Sequence, residues 1–205
     1  MRQFTILLFL IISLSHLTDT AYCQLKYGVK GGLGLTKGKF EMGEVDCAIR
    51  FHGGFLTEIL LKKKIYVRPE LLFSQKGWEV PDDSLNSNVS VTINYLNLPM
   101  IAGYKLFKSL SVSTGPELGL KLSAKRNPSG WWIDPYEKFD MGWAIGCSYL
   151  FDEKIGLDLR YVYGFKGLIK GEMRDINNNN IGTFREGSNR AIQISAFYLI
   201  HKSGS

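Results

Sequence analysis

Between Ile155 and Lys170 the chain reads IGLDLRYVYGFKGLIK, and taking every second residue separates two sets. Ile155, Leu157, Leu159, Tyr161, Tyr163 and Phe165 form one; Gly156, Asp158, Arg160, Val162, Gly164 and Lys166 form the other. Strand side chains alternate between faces, so one face is apolar and aromatic-rich and the other carries charge. A soluble sandwich alternates too, burying its apolar face. Here the pattern recurs along the chain, as it must in a transmembrane barrel with lipid outside and polar groups within.

Eight such strands can be laid out. The first covers Leu25–Leu35, with Lys26 and Lys30 inward. The second covers Cys47–Leu61, with Ile49, Phe51, Phe55 and Ile59 outward and Arg50, His52 and Glu58 inward. The third covers Ile65–Val80, with Tyr66, Arg68, Glu70 and Lys76 inward. The fourth, Asn88–Phe107, alternates twice out of phase: Val89, Val91, Ile93 and Tyr95, then Leu96, Leu98, Met100, Ala102 and Tyr104. A bulge near Tyr95 would restore the register, because an inserted residue shifts alternation by one. The fifth, Leu110–Lys125, turns Ser111, Ser113, Glu117, Lys121 and Ser123 inward. The sixth is Phe139–Phe151, the seventh begins at Ile155, and the eighth is Asn189–Ile200, with Gln193 and Ser195 inward.

The connections alternate long and short: Thr36–Asp46, Lys62–Lys64, Pro81–Ser87, Lys108–Ser109, Arg126–Lys138, Asp152–Lys154 and a loop over Gly171–Gly187. Outer-membrane barrels have an even strand number, short periplasmic turns and longer outside loops, which predicts both termini in the periplasm. The fold class expected is all-β, an eight-stranded antiparallel up-and-down transmembrane β-barrel. A secreted lipocalin-like barrel is the rival, with its apolar face inward around a ligand. The uniform Leu, Ile, Val and aromatic rows, opposite charged rows, argue against it.

The start fits this placement. Arg2 supplies a positive end, FTILLFLIISL (Phe4–Leu14) an apolar core, and Ala21 and Cys23 small residues before a cut at Gln24. That core is short of the ~20 residues of a spanning helix. Residues 1–23 are therefore read as a signal peptide, 24–200 as the barrel and 201–205 as a tail. Cys23 raises a lipoprotein reading, which Tyr22 disfavours. Glycine, at 22 of 205 residues, exceeds the usual ~7%. Gly28, Gly31, Gly32, Gly34 and Gly38 miss phosphate-loop spacing and suit tight strand packing. A net charge of +6 could suggest nucleic acid, but the lysines gather in turns such as Lys62–Lys64 and the chain is exported. No nucleic-acid partner is expected.

RPELLFSQKG (Arg68–Gly77), YLNLPMIAGYKL (Tyr95–Leu106), GPELGLKLSAK (Gly115–Lys125), FDMGWAIGCSYLF (Phe139–Phe151) and NRAIQISAFYLI (Asn189–Ile200) resemble the small outer-membrane β-barrel family of Bacteroidetes, the porin-family or PorT-like proteins. The resemblance implies an outer-membrane barrel, and the PorT name points to type IX secretion. The chain departs from the family in continuing past Ile200 with His201 to Ser205.

The inward charges are expected to form a lumen network of Arg50, Glu58, Arg68, Glu70, Glu117, Lys121, Asp158 and Arg160, with Lys26, Lys30, Lys166 and Asp140 sharing their phase. Charges in a lumen just wide enough for side chains must be paired or hydrated. A plug is the favoured reading, making the protein a structural or surface-binding barrel that acts through its outside loops. The alternative is a small gated ion path in which Arg68–Glu70 and Asp158–Arg160 exchange partners. A second alternative is lipid chemistry with His52, placed near the outer end of its strand, as general base; no nucleophile lies at recognisable spacing. No cofactor or metal is expected.

At the outer rim Trp131 and Trp132 are read as an interface girdle. Arg174 and Arg185, with Arg126, Lys138 and Arg190, suit lipopolysaccharide phosphates or a surface or secretion-system partner. Outer-membrane lipids surround an expected monomer. Cys47 and Cys147 lie at different depths and are expected to stay unpaired.

Overall fold

The computed structural model describes residues 24–40, 45–81, 88–127, 134–152, 154–165, 167–175 and 180–201. The proposed signal peptide, Trp131, Trp132 and Lys166 lie outside them. Among the described residues ten strands follow one another: β1 Gln24–Lys39, β2 Asp46–Lys62, β3 Ile65–Val80, β4 Val89–Lys105, β5 Leu110–Asn127, β6 Phe139–Leu150, β7 Ile155–Gly164, β8 Ile169–Arg174, β9 Asn180–Glu186 and β10 Ser188–His201. Eight close a barrel in the order β1-β10-β7-β6-β5-β4-β3-β2, and every pairing is antiparallel. Hydrophobic periodicity therefore found the barrel and its strand number.

The wall follows the alternation. Outward residues such as Ile49, Phe55, Phe139 and Ile145 are exposed in the isolated chain, while their neighbours Ala48, Asp140 and Ala144 are buried. Among the described residues no helix is long and apolar enough to cross a membrane. β2 and β3 meet at the two-residue turn Lys63-Lys64, and the Leu106 amide donates to the Leu110 carbonyl at 3.0 Å to close the next.

Four expectations change. The long loop over Gly171–Gly187 is largely the hairpin β8–β9, because β7 stops at Gly164 and the chain pairs again from Ile169 to Glu186. The tail is shorter, since His201 is the last residue of β10 and pairs opposite Lys26. The bulge lies on β5, not β4: Asn94 faces Ser123 and Tyr95 faces Lys121, leaving Leu122 as the additional residue.

The fourth concerns the out-of-phase stretch of β4. Its alternation is unbroken, and Val89, Val91, Ile93 and Tyr95 point inward with Asn97 and Ile101. What changes is the environment. Below Tyr95 the outward side chains are Leu96, Leu98 and Met100; above it they are Ser90, Thr92 and Asn94. Outside, the Gln75 amide donates to Asn94 Oδ1 at 3.0 Å, and the Asn94 amide donates to Ser123 Oγ at 2.9 Å. A transmembrane strand needs only ~9–11 residues, whereas β4 has 17 and β5 has 18. Along β3, β4 and β5 the upper wall thus has the polarity of a water-soluble barrel, apolar inside and polar outside.

Two glycines are needed where backbone and side chain come close. Gly77 has φ 149°, and a Cβ there would sit 2.0 Å from the Val91 carbonyl oxygen. At Gly103 a Cβ would fall 2.1 Å from Cζ of Tyr66, a ring wholly inside the lumen. Gly103→Ala is expected to destabilise by roughly 1–3 kcal/mol through overpacking. The urea midpoint of micelle-folded protein checks this, and an unchanged midpoint would show that Tyr66 has room to move.

Candidate functional site

Three tiers fill the lumen. At the short-turn end Leu56, Phe197 and Leu199 form an apolar layer. Arg68 lies over the Phe197 ring at 4.8 Å, and its Nη2 donates to Glu58 Oε2 at 2.6 Å. Lys105 shares that carboxylate at 3.5 Å. A cavity of about 20 Å³ beside them, lined by Tyr66 and Arg68 among others, has room for about one water.

The middle tier is ionic. Arg160 grips Glu70 with two parallel bonds, 3.0 and 2.8 Å, and reaches Asp158 at 3.1 Å. Lys30 joins Glu70 at 3.5 Å and donates a short bond to Asp158, whose other oxygen accepts from Ser148 at 2.7 Å. Lys76 spans Glu117 at 2.9 Å and Asp140 at 3.1 Å. Asn97 and Asn189 donate to those two carboxylates at 2.8 and 2.9 Å. Lys30, Lys76, Lys105, Arg68 and Arg160 face Glu58, Glu70, Glu117, Asp140 and Asp158, so five cations meet five carboxylates. Isolated ions would be expensive in this interior; paired and hydrogen-bonded ones can be held.

Above them lies an apolar cap. Val45, Trp78, Val91, Ile93, Tyr95, Tyr136 and Leu168 form one buried cluster, with Phe40, Ala124 and Ile169 against it. Trp78 meets the Phe40 and Tyr136 rings edge-on, at 4.9 and 5.5 Å between centroids. Described residues flanking the long connections thus fold inward over the lumen: Tyr136 bridges to Ile169, and Lys121 donates to the Tyr136 carbonyl and pairs with Asp134 at 2.7 Å.

Of the eight lumen residues expected, Glu58, Arg68, Glu70, Glu117, Asp158 and Arg160 lie in the charge network. Arg50 and Lys121 do not. Arg50 lies within the β2 irregularity between Cys47 and His52, half-buried, and donates to Ser90 Oγ on the outward row of β4 at 2.8 Å and to the Val91 carbonyl at 3.2 Å. Lys121 serves the cap. Lys30, Lys76 and Asp140, expected inward by phase, stand at the centre of the network; phase alone does not give the height that pairs them. Of the two pairs expected to trade partners, Asp158–Arg160 is in contact at 3.1 Å, whereas Arg68 pairs with Glu58 and Glu70 with Arg160.

His52 lies deeper than expected, opposite Gly32, and its Nε2 is 2.7 Å from Ser195 Oγ. The pairing of β1 with both neighbours brings them together, which linear spacing could not reveal. At the rim Arg174 ends β8, Arg185 is exposed on β9, and Arg190 lies 3.3 Å from the centre of the Tyr163 ring. Cys47 and Cys147 are free, one exposed and one half-buried.

A closed antiparallel barrel, apolar outside and ionic within, defines the architecture. The sequence model described as "Outer membrane protein beta-barrel domain" matches residues 20–170. The chain belongs to that family. It is an outer-membrane β-barrel protein. In fold, this barrel is similar to Neisserial surface protein A, at 12% identity and TM-score 0.57, over 84% of this chain and 96% of that one. It is also similar to the outer membrane protein OprG of Pseudomonas aeruginosa, at 10% identity and TM-score 0.50, over 89% and 99%. No curated protein matches it significantly.

The tiers give two expected outcomes. Glu70→Gln removes the counterion shared by Arg160 and Lys30 and should cost roughly 3–5 kcal/mol. The paired substitution Glu70→Leu with Arg160→Leu should cost less, since Lys30 keeps Asp158. Urea midpoints in micelles rank the two, and the reverse order would mean the pair is not the unit.

Burial pushes the Tyr136 hydroxyl up to about 12, with the Asp134 carboxylate adding to the shift. Its folded pKa lies above the ordinary ~10, so its contribution is whole below pH 10 and lost as pH rises to about 12. Trp78 fluorescence should show the cap loosening over that interval, and Tyr136→Phe should remove that component.

Proposed function

We propose that this outer-membrane barrel does not conduct and works at its ends, as a structural or surface-binding protein. The observation that carries this reading is the charge-paired network roofed by the apolar cap. An ion would have to separate several buried pairs and then pass the Trp78–Tyr136 cluster. The gated alternative has a further obstacle: Arg160 already holds both Glu70 and Asp158, and Arg68 holds Glu58.

The short turns and both termini belong in the periplasm on this reading, and the long connections outside. Exposed Lys37, Lys39, Arg126 and Arg185 at the long-connection end suit lipopolysaccharide phosphates or an acidic surface partner. The PorT-like resemblance supports a secretion-system partner as the periplasmic counterpart. Hydrolysis by His52 gains a nucleophile in Ser195, but the residues are 3% and 1% exposed, beyond the reach of a lipid. The reading calls for a monomer without catalysis, cofactor or metal.

The test is single-channel recording of the mature protein in a planar bilayer, after heat-modifiable gel migration confirms folding. Silence is expected. Stable openings altered by Arg160→Glu would make the lumen the working part and end this reading.

A further inference from the structure

The short-turn mouth is a different kind of surface from the lumen behind it. Lys26, Lys63, Lys64, Lys105 and Lys108 line a basin of about 880 Å³ there, with Asp152 as the carboxylate among its lining residues. That volume falls within the ~300–1,000 Å³ of ligand pockets. The basin has a floor. Glu58 sits below it with its oxygens engaged by Arg68 and Lys105, and the one-water cavity lies beside them.

Two of the lysines are positioned by the fold. Lys26 continues the inward phase of Lys30, and Lys105 that of Ile101 and Gly103. Lys105 is steadied over the Tyr66 ring at 5.8 Å, while the Lys105 amide donates to the Lys64 carbonyl at 2.8 Å, tying two basic turns together. Phe107, Leu150 and Phe151 supply apolar rim between the ammonium groups. A concave mouth lined by five lysines against one carboxylate focuses a positive field outward along the barrel axis.

We propose that this basin is a docking site for an acidic, extended peptide segment of a partner protein, its carboxylates on the lysines and its intervening apolar side chains on Phe107 and Leu150. Charge complementarity demands an anion. Position selects a peptide over a lipid headgroup, because headgroups surround the outer wall whereas Lys26 and Lys105 face inside the ring of strands. The closed floor makes the basin a dead end, so the segment is held rather than passed through. That the mouth opens to the periplasm rests on the reading above; the docking chemistry does not.

The test uses mature protein in phosphatidylcholine nanodiscs and a fluorescein-labelled hexapeptide alternating glutamate and leucine, followed by anisotropy. Saturable, salt-sensitive binding is expected. It should weaken about tenfold or more in Lys63→Gln/Lys64→Gln/Lys108→Gln, each lost pair contributing modestly. Lys37→Gln/Lys39→Gln, at the opposite end, should leave it unchanged. Heat-modifiable migration confirms that each variant is folded.

Equal binding of the glutamine–leucine peptide, or equal weakening by the opposite-end variant, would overturn the proposal. So would loss of peptide binding on admixing phosphatidylglycerol, which would assign the lysines to lipid headgroups. Both nanodisc faces are open, so the titration is indifferent to orientation. Impermeant maleimide labelling of Lys63→Cys in a Cys47→Ser background, on whole cells, tests orientation separately.

Discussion

Everything inside this barrel depends on Arg160 having somewhere to put its charge. An eight-stranded barrel has no room for a hydrated guanidinium, and a buried ion without counterions is among the costliest features a fold can contain. Glu70 and Asp158 meet it from different strands, Lys30 balances them, and the same rule recurs with Lys76, Glu117 and Asp140. The lipid-facing wall tolerates many apolar substitutes, because lipid asks only for apolar surface. The interior is different, since each charge fixes the identity and height of its partners.

That contrast explains what the sequence disclosed. The outward rows are long, periodic and uniform, so strand number, antiparallel order and even the bounds of β3 could be read directly. Six of the lumen residues followed from phase. Phase says inward or outward, but height depends on register between strands, and register is a property of pairs. For this reason Lys76 was not seen as the partner of Glu117 and Asp140, nor Ser195 as the neighbour of His52. Lys121 shares the lumen phase but stands too high to join the network, and Arg50, in the β2 irregularity, turns to the outward Ser90 of β4 instead.

The first half of β4 required a different kind of information. A run whose apolar residues change face looks like a register error if the surroundings are assumed constant. Here the surroundings change instead, from lipid to water, while the strand continues without interruption. The polar ladder Gln75–Asn94–Ser123 and the cluster around Trp78 are two sides of one transition. The hairpin β8–β9 escaped for a simpler reason: its asparagine-rich tip and mixed strands carry no clean alternation.

Lys30 adds something about how such a protein comes together. It stands on β1, yet its partner Asp158 is on β7, so the ion pair reaches across β10 and the seam where the first and last strands meet. With that seam unzipped, the ammonium and the carboxylate belong to opposite edges of an open sheet. Zipping it brings them together. Joining the edges and forming the cross-seam pairs Lys30–Asp158 and Arg160–Glu70 are then a single event, so these ion pairs exist only once the cylinder is complete.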